Sequence, residues 1–166
     1  YESDRGQVEV TGQLVPFLEL GVGFNPDLSA LDNILLNGVI LGMSRKKIRG
    51  KMDKIISFAG IKPFINQKLK NFSSGMQVRL AFSIAIQSPG DVFLLDEVLA
   101  GGDYEFRQKS KKVCLQMNKA GKCVIIVSHE LDQIKEYCDR AIWLDHGKII
   151  LSDQPAAVIK AYTKFV

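Results

Sequence analysis

Val92-Phe93-Leu94-Leu95-Asp96-Glu97 is the stretch on which the reading of the fold turns. A short continuous apolar run is expected of a strand buried on both faces of a parallel sheet. The two carboxylates that close it then stand at the strand's C-terminal end, where open α/β sheets bind ligands. Downstream, Tyr104–Lys119 is polar and amphipathic and stops before Gly121, and Cys123-Val124-Ile125-Ile126-Val127 is a second apolar run. Strand, helix and strand in this order make a βαβ unit, which sets the fold class as α/β.

Working outward, Ala141–Leu144 and Lys148–Leu151 flank Asp145-His146-Gly147 and read as a hairpin. Asp153 and Pro155 open a last helix running towards Phe165. Upstream, Ser29-Ala30-Leu31-Asp32 has capping-box form and starts a helix reaching about Leu41. Ser44 caps a second helix, Lys46–Ala59, ended by Gly60. Its basic face (Arg45, Lys46, Lys47, Arg49, Lys51, Lys54) reads first as a solvated surface. A third helix covers Gly75–Gln87, where apolar residues nearly surround the axis and call for burial. Gln7–Leu20 reads as short extended runs around Gly12 and Pro16.

The 166 residues are 46% apolar and 24% charged, which suits one globular domain and excludes a disordered, collagenous or fibrous chain. No apolar run approaches the ~20 residues of a membrane-spanning helix; the longest candidate, Ile34–Met43, contains Asn37 and two glycines. The polar start, Tyr1–Arg5, lacks a signal-peptide apolar region. A net charge of +4 spread along the chain is too weak to argue for nucleic acid, and no nucleic-acid partner is expected. Cys114, Cys123 and Cys138 are odd in number and far apart, so a disulfide framework is not expected. Cys114 and Cys123 sit among apolar residues as buried thiols do, which points to a reducing compartment.

Three short motifs carry chemistry. Asp96 can hold Mg²⁺, usually through a water, and Glu97 can polarise an attacking water. Taken alone, they could equally be a strand end followed by an acidic helix cap. Phe72-Ser73-Ser74-Gly75-Met76 opens a helix with small residues, and free N–H groups at such an end bind phosphate. His129, in Ser128-His129-Glu130, ends the second strand, where a lone histidine is often structural. The order of all three motifs weighs against the separate bland readings.

That order resembles the ATP-binding-cassette (ABC) family. Phe72-Ser73-Ser74-Gly75-Met76 is similar to its Leu-Ser-Gly-Gly-Gln signature. Asp96 and Glu97 match the Walker B aspartate and catalytic glutamate, Ala100-Gly101-Gly102-Asp103 the D-loop, and His129 the switch histidine. The resemblance runs from about Gly6 to the C-terminus and implies a partial P-loop NTPase fold. Residues 29–87 would form a helical subdomain carrying the signature, and 1–28 with 88–166 a core of sheet and flanking helices. Leu18–Ser29, Ser-Ser-Gly-Met-Gln and Asp-Glu-Val-Leu-Ala-Gly-Gly-Asp are similar to exporters of O-antigen, capsule and teichoic acid.

The resemblance then implies ATP and Mg²⁺, a separate membrane permease, a second ATPase subunit sharing two ATP molecules, and a place on the cytoplasmic face of the membrane. It implies catalytic roles for Glu97 and His129, nucleotide contacts from Ser73, Ser74, Gly75 and Asp103, and metal binding by Asp96 and Glu19. The permease's coupling helix would enter a groove at Phe24, Asn25, Leu31 and Ile34.

Three departures stand out. No Gly-Lys-Ser or Gly-Lys-Thr occurs, so the Walker A loop would lie before Tyr1, and the chain taken alone is expected to be inactive. Glu19 falls roughly where the family has its Q-loop glutamine, with Gln13 close enough to compete for the place. Ser74 and Met76 replace a glycine and a glutamine of the signature. Two other classes of function are a non-catalytic fragment and a soluble cassette acting on ribosomes or DNA. The latter usually has paired cassettes or an inserted coiled coil, and neither is visible.

Overall fold

The computed structural model describes residues 5–17, 23–97 and 103–165. Strand β1 (Leu14–Phe17) pairs in parallel with β2 (Val92–Asp96), and β2 pairs in parallel with β3 (Cys123–Val127). The order β1-β2-β3 puts the acidic strand in the middle. Helix α4 (Tyr104–Lys119) joins β2 to β3 and completes the βαβ unit expected from the sequence. Gly121 takes a positive φ of 78°, and the N–H groups of Gly121 and Lys122 bond back to the carbonyls of Asn118 and Met117, which turns the chain out of α4 into β3.

Between β1 and β2 lie α1 (Ala30–Ile40), α2 (Arg45–Ala59) and α3 (Ser74–Ala85). Each starts at a serine whose hydroxyl accepts an N–H of the first turn: Ser29 from Asp32, Ser44 from Lys47 and Ser73 from Met76. Gly60 ends α2 in the left-handed region at φ 67°. Their facing apolar residues, Ile34, Ile48, Ile55, Leu80 and Ile84 among them, form one core cluster with Ile61 of the chain that follows α2. The other lies against one face of the sheet, where Val15, Phe17, Phe93 and Leu95 meet Phe82 of α3 and Phe106, Cys114 and Met117 of α4. Helix α3 serves both clusters, as its near-continuous apolar surface requires.

The C-terminal part has α5 (Leu131–Tyr137), the antiparallel hairpin β4 (Ala141–Asp145) and β5 (Lys148–Asp153), and α6 (Pro155–Phe165). His146 and Gly147 turn the hairpin with φ of 45° and 75°, as a two-residue type I′ loop demands. Among the described residues no helix is long and apolar enough to cross a membrane.

Several expectations need correction. The strands are buried on one face only: Phe93 and Leu95 are covered, whereas Ile125 and Val127 of β3 are about half exposed at 47% and 56%. Among the described residues no layer covers the second face, so apolar content alone misjudged it. Cys114 is buried as expected, but Cys123 sits on that uncovered face and is exposed. Burial pushes the Cys114 thiol up to about 12, which keeps it an inert protonated core group. Ile34 is fully buried in the helical cluster and cannot line a groove. Of Gln7–Leu20, read as short extended runs, the described part forms one strand, β1, and Leu18–Leu20 lie outside the described residues. Helix α3 ends at Ala85, two residues before Gln87.

Candidate functional site

The site is built at the C-terminal edge of the parallel sheet. Asp96 is the last residue of β2 and pairs in register with Val127 of β3. Glu97 follows it with φ at +52°, a left-handed conformation uncommon for a residue with a side chain. Its N–H still bonds the Val127 carbonyl at 2.9 Å, so the turn begins only after the last rung. The turned side chain faces the next strand's end: Glu97 Oε1 accepts the His129 N–H at 3.0 Å, and Oε2 lies 2.7 Å from His129 Nδ1. Both carboxylate oxygens are thus used on one residue. Such doubly determined geometry is what holds an unfavourable backbone conformation in place.

His129 is held from its other side as well. Ser128 Oγ accepts the Glu130 N–H at 3.1 Å and donates to Gln133 Oε1, and Gln133 Nε2 donates to Glu130 at 2.7 Å. This network fixes the loop between β3 and α5 and leaves the His129 ring 76% exposed. With Nδ1 given to Glu97, Nε2 is the ring atom left for an outside ligand. The Glu97 hydrogen bond, and then its charge, raise the His129 pKa above the ordinary value. The pair therefore contributes its stability fully below the ordinary histidine pKa, and loses it as pH rises through the higher folded value. An NMR titration is expected to place the His129 midpoint above ~6.5, and Glu97→Gln to bring it down. A His129 midpoint below the ordinary value would contradict this geometry.

Asp96 has no hydrogen-bond or ion-pair partner for its carboxylate among the described residues, and it is half buried beside Glu97. No group of three or more metal-ligating side chains occurs among the described residues. One or two carboxylates are the usual protein share of a Mg²⁺ site completed by substrate phosphates and waters, so this donor set fits that ion. Glu19 lies outside the described residues. Gln13 lies at the opposite end of β1, its N–H on the Asp91 carboxylate at 2.8 Å and its side chain near the Leu41 carbonyl. It is therefore placed away from Asp96 and Glu97.

Ser73, Ser74 and Gly75 form the N-terminus of α3. The Ser73 hydroxyl accepts from Met76 N at 3.2 Å, and its own proton remains to donate. A Cβ on Gly75 would touch nothing closer than 4.0 Å, so the space over this helix end is open. Among the described residues no hydrogen bond or ion pair joins this end to Glu97 or His129. Asp103, expected to contact nucleotide, has a largely exposed side chain that also holds two groups of its own chain. It caps α4, taking the Phe106 N–H at 2.8 Å on Oδ1 and Arg79 Nη1 at 3.1 Å on Oδ2.

Arg79 was not singled out from the sequence. It lies within the quoted signature helix, and one turn-and-a-half after Ser74 its guanidinium ties α3 to the start of α4. Its position on the same helix as the signature was the available signal.

A parallel sheet with an acidic C-terminal edge, fed by a three-helix layer inserted between its strands, is the architecture of an ATP-binding cassette. The chain belongs to the ABC transporter family, whose model matches residues 2–100. It is 44% identical over 165 residues to an ABC transporter protein of Aeromonas salmonicida, covering 99% of this chain and 54% of that one. It is 38% identical over 166 residues to an O-antigen export system ATP-binding protein of Myxococcus xanthus, covering 100% and 38%. It is 40% identical over 161 residues to a teichoic acids export ATP-binding protein of Lactococcus lactis, covering 97% and 34%. The chain thus spans about half the length, or less, of these relatives.

Among solved structures, the ATP binding subunit of an ABC transporter superposes with a TM-score of 0.79 at 16% identity, over 91% of this chain and 62% of that one. A dimeric ATP-binding cassette in a post-hydrolysis state bound to ADP and Pi gives 0.71 at 22%, over 86% and 63%. These likenesses establish the fold.

Proposed function

We propose that this chain is part of an ATP-hydrolysing subunit that drives export of a cell-surface polysaccharide through a separate membrane permease. The observation that carries the chemistry is the Glu97–His129 pair at the sheet's acidic edge. The relatives named for O-antigen and teichoic-acid export support the substrate class.

In this reading Glu97 polarises the attacking water, and His129 Nε2 contacts the γ-phosphate and orients that water. Asp96, with Glu19 beyond β1, would hold Mg²⁺, which supplies charge neutralisation at the transferring phosphoryl group. The Ser73 hydroxyl and the free amides of Ser74 and Gly75 bind the γ-phosphate of a nucleotide held mainly by a second copy of the subunit. That this helix end makes no bond to its own Glu97 among the described residues agrees with service to a partner. Asp103 contacts the nucleotide in this reading, and its bonds to Arg79 and the Phe106 N–H fix the start of α4 against α3.

Residues 29–87 form the helical subdomain in this reading, and 1–28 with 88–166 the core; the helical cluster, whose members all fall within 29–87, supports that division, while α3 also packs on the sheet. The permease contact is proposed at Phe24, Asn25 and Leu31 on the helical side, with the subunit on the cytoplasmic face of the membrane.

The deciding experiment is complementation. Deleting the gene is expected to remove the surface glycan, wild type to restore it, and Glu97→Gln to fail. Restoration by Glu97→Gln, or an unchanged surface after deletion, would refute the reading. A second expected result concerns these 166 residues taken alone. Without a Gly-Lys-Ser/Thr cradle they are expected to bind ATP·Mg²⁺ only weakly and to show no steady hydrolysis. Micromolar ATP binding in calorimetry would contradict that expectation.

A further inference from the structure

We infer that the basic face of α2 is a docking surface for anionic lipid headgroups. Five cations, Arg45, Lys46, Lys47, Arg49 and Lys54, are exposed along ten residues that contain one carboxylate, Asp53. None of the five has an ion-pair partner within 4.0 Å among the described residues, Asp53 included, although Asp53 stands four residues after Arg49. The sixth cation, Lys51, is turned inward and donates to the Gln87 carbonyl.

The placement works against the helix itself. Arg45, Lys46 and Lys47 occupy the first turn, which has no acidic residue, so three positive charges sit at the positive end of the helix dipole. Folding is not served by that arrangement. Gly50 adds an independent sign. It lies in the middle of α2 on the same exposed face, and a Cβ there would meet nothing within 4 Å. A mid-helix glycine weakens a helix relative to alanine, and no packing among the described residues requires this one. Its effect is to leave the backbone flat between the cations, open to close approach by an extended surface.

The neighbourhood selects lipid among polyanions. Gly42 N bonds the Val39 carbonyl and Met43 N the Gly38 carbonyl, both at 2.9 Å, in a tight reversal that sets the end of α1 beside the start of α2. The end of α1 exposes Val39 at 49% and Ile40 at 56%. Apolar side chains bordering a basic helix face match the headgroup and acyl boundary of a bilayer, whereas a phosphate backbone in water offers them nothing. Ile40 also adjoins Gly23, next to the proposed permease contact at Phe24 and Asn25. A subunit docked there has a membrane beside it. The inference rests on the exporter reading for that last step alone.

The test is flotation of the whole chain with phosphatidylcholine vesicles and with mixed phosphatidylcholine–phosphatidylglycerol vesicles. Binding is expected to the mixed vesicles only and to fall steeply with added salt. The triple reversal Lys46→Glu, Lys47→Glu, Arg49→Glu is expected to weaken it at least about tenfold, and the Gln triple variant by less. Both variants should melt no lower than wild type, because the changes at Lys46 and Lys47 relieve the first turn of α2 and Arg49 is exposed without an ion pair among the described residues. Equal binding to neutral vesicles, binding untouched by the reversal, or tighter binding to duplex DNA at equal salt would overturn the inference. None of these readouts involves ATP, so failure here is distinct from failure of the exporter reading, which complementation decides.

Discussion

Glu97→Gln in the whole protein is expected to lower ATP turnover by about two to four orders of magnitude while leaving ATP binding intact. The amide keeps the shape of the carboxylate and can still take the His129 N–H that Oε1 now accepts at 3.0 Å. It cannot act as a base or provide the negative field that polarises a water. Binding therefore proceeds, hydrolysis stops, and a closed dimer with two trapped nucleotides should accumulate in size-exclusion chromatography.

Asp96→Asn one residue earlier should behave otherwise. Its carboxylate is without a partner among the described residues, so neutralising it removes charge from the proposed metal position and weakens Mg²⁺-dependent binding itself. His129→Ala should cut turnover with little change in binding, because it removes an orienting contact. The contrast between adjacent carboxylates is the discriminating result. Near wild-type turnover in Glu97→Gln, together with normal Mg·ATP binding in Asp96→Asn, would overturn the assignment of roles at this strand end.

Much of this edge could be read from the chain because it depends on local order. The run Val92–Glu97 is a strand with an acidic end in any surroundings, and Tyr104–Lys119 was legible to the residue from its polarity and from Gly121. Ser29, Ser44 and Gly60 announced their helix ends through capping chemistry that acts over a single turn. What stayed hidden depends on layers. Cys123 and Phe93 both lie in apolar runs, yet one is exposed and the other buried, because α3 and α4 cover one face of the sheet. Ile34 and Leu31 differ by less than one helical turn, and only packing against α2 and α3 decides which is lost to the core. The seven residues of α5 carry too few apolar positions to show a period and are anchored instead by Ser128, Glu130 and Gln133. The Arg79–Asp103 pair spans 24 residues and two helices, so no local pattern could announce it.

The largest expected effect on stability belongs to Phe82→Ala. Phe82 is fully buried in the last turn of α3 and meets three other rings: Phe17 of β1 at 6.3 Å, Phe58 of α2 at 6.0 Å and Phe106 of α4 at 5.8 Å. The contacts to Phe17 and Phe106 are edge-to-face, at 86° and 79°, the favourable arrangement for aromatic pairs. Removing the ring loses its transfer free energy and leaves a cavity that four elements from both halves of the domain would have to collapse to fill. The cost is expected to be about 3–5 kcal/mol, measured as a lower urea midpoint. Phe82→Leu, which keeps most of the volume, should cost less than half of that. The functional consequence follows from position: on the same helix, Ser73 at the cap, Arg79 and Phe82 hold the signature end, the α4 contact and the sheet in one rigid unit. At a urea concentration where both proteins remain folded, Phe82→Ala should therefore also show faster amide exchange at Ser74–Met76 than wild type. Unchanged protection there, with stability lowered as expected, would mean that the signature end is held by the helical cluster alone.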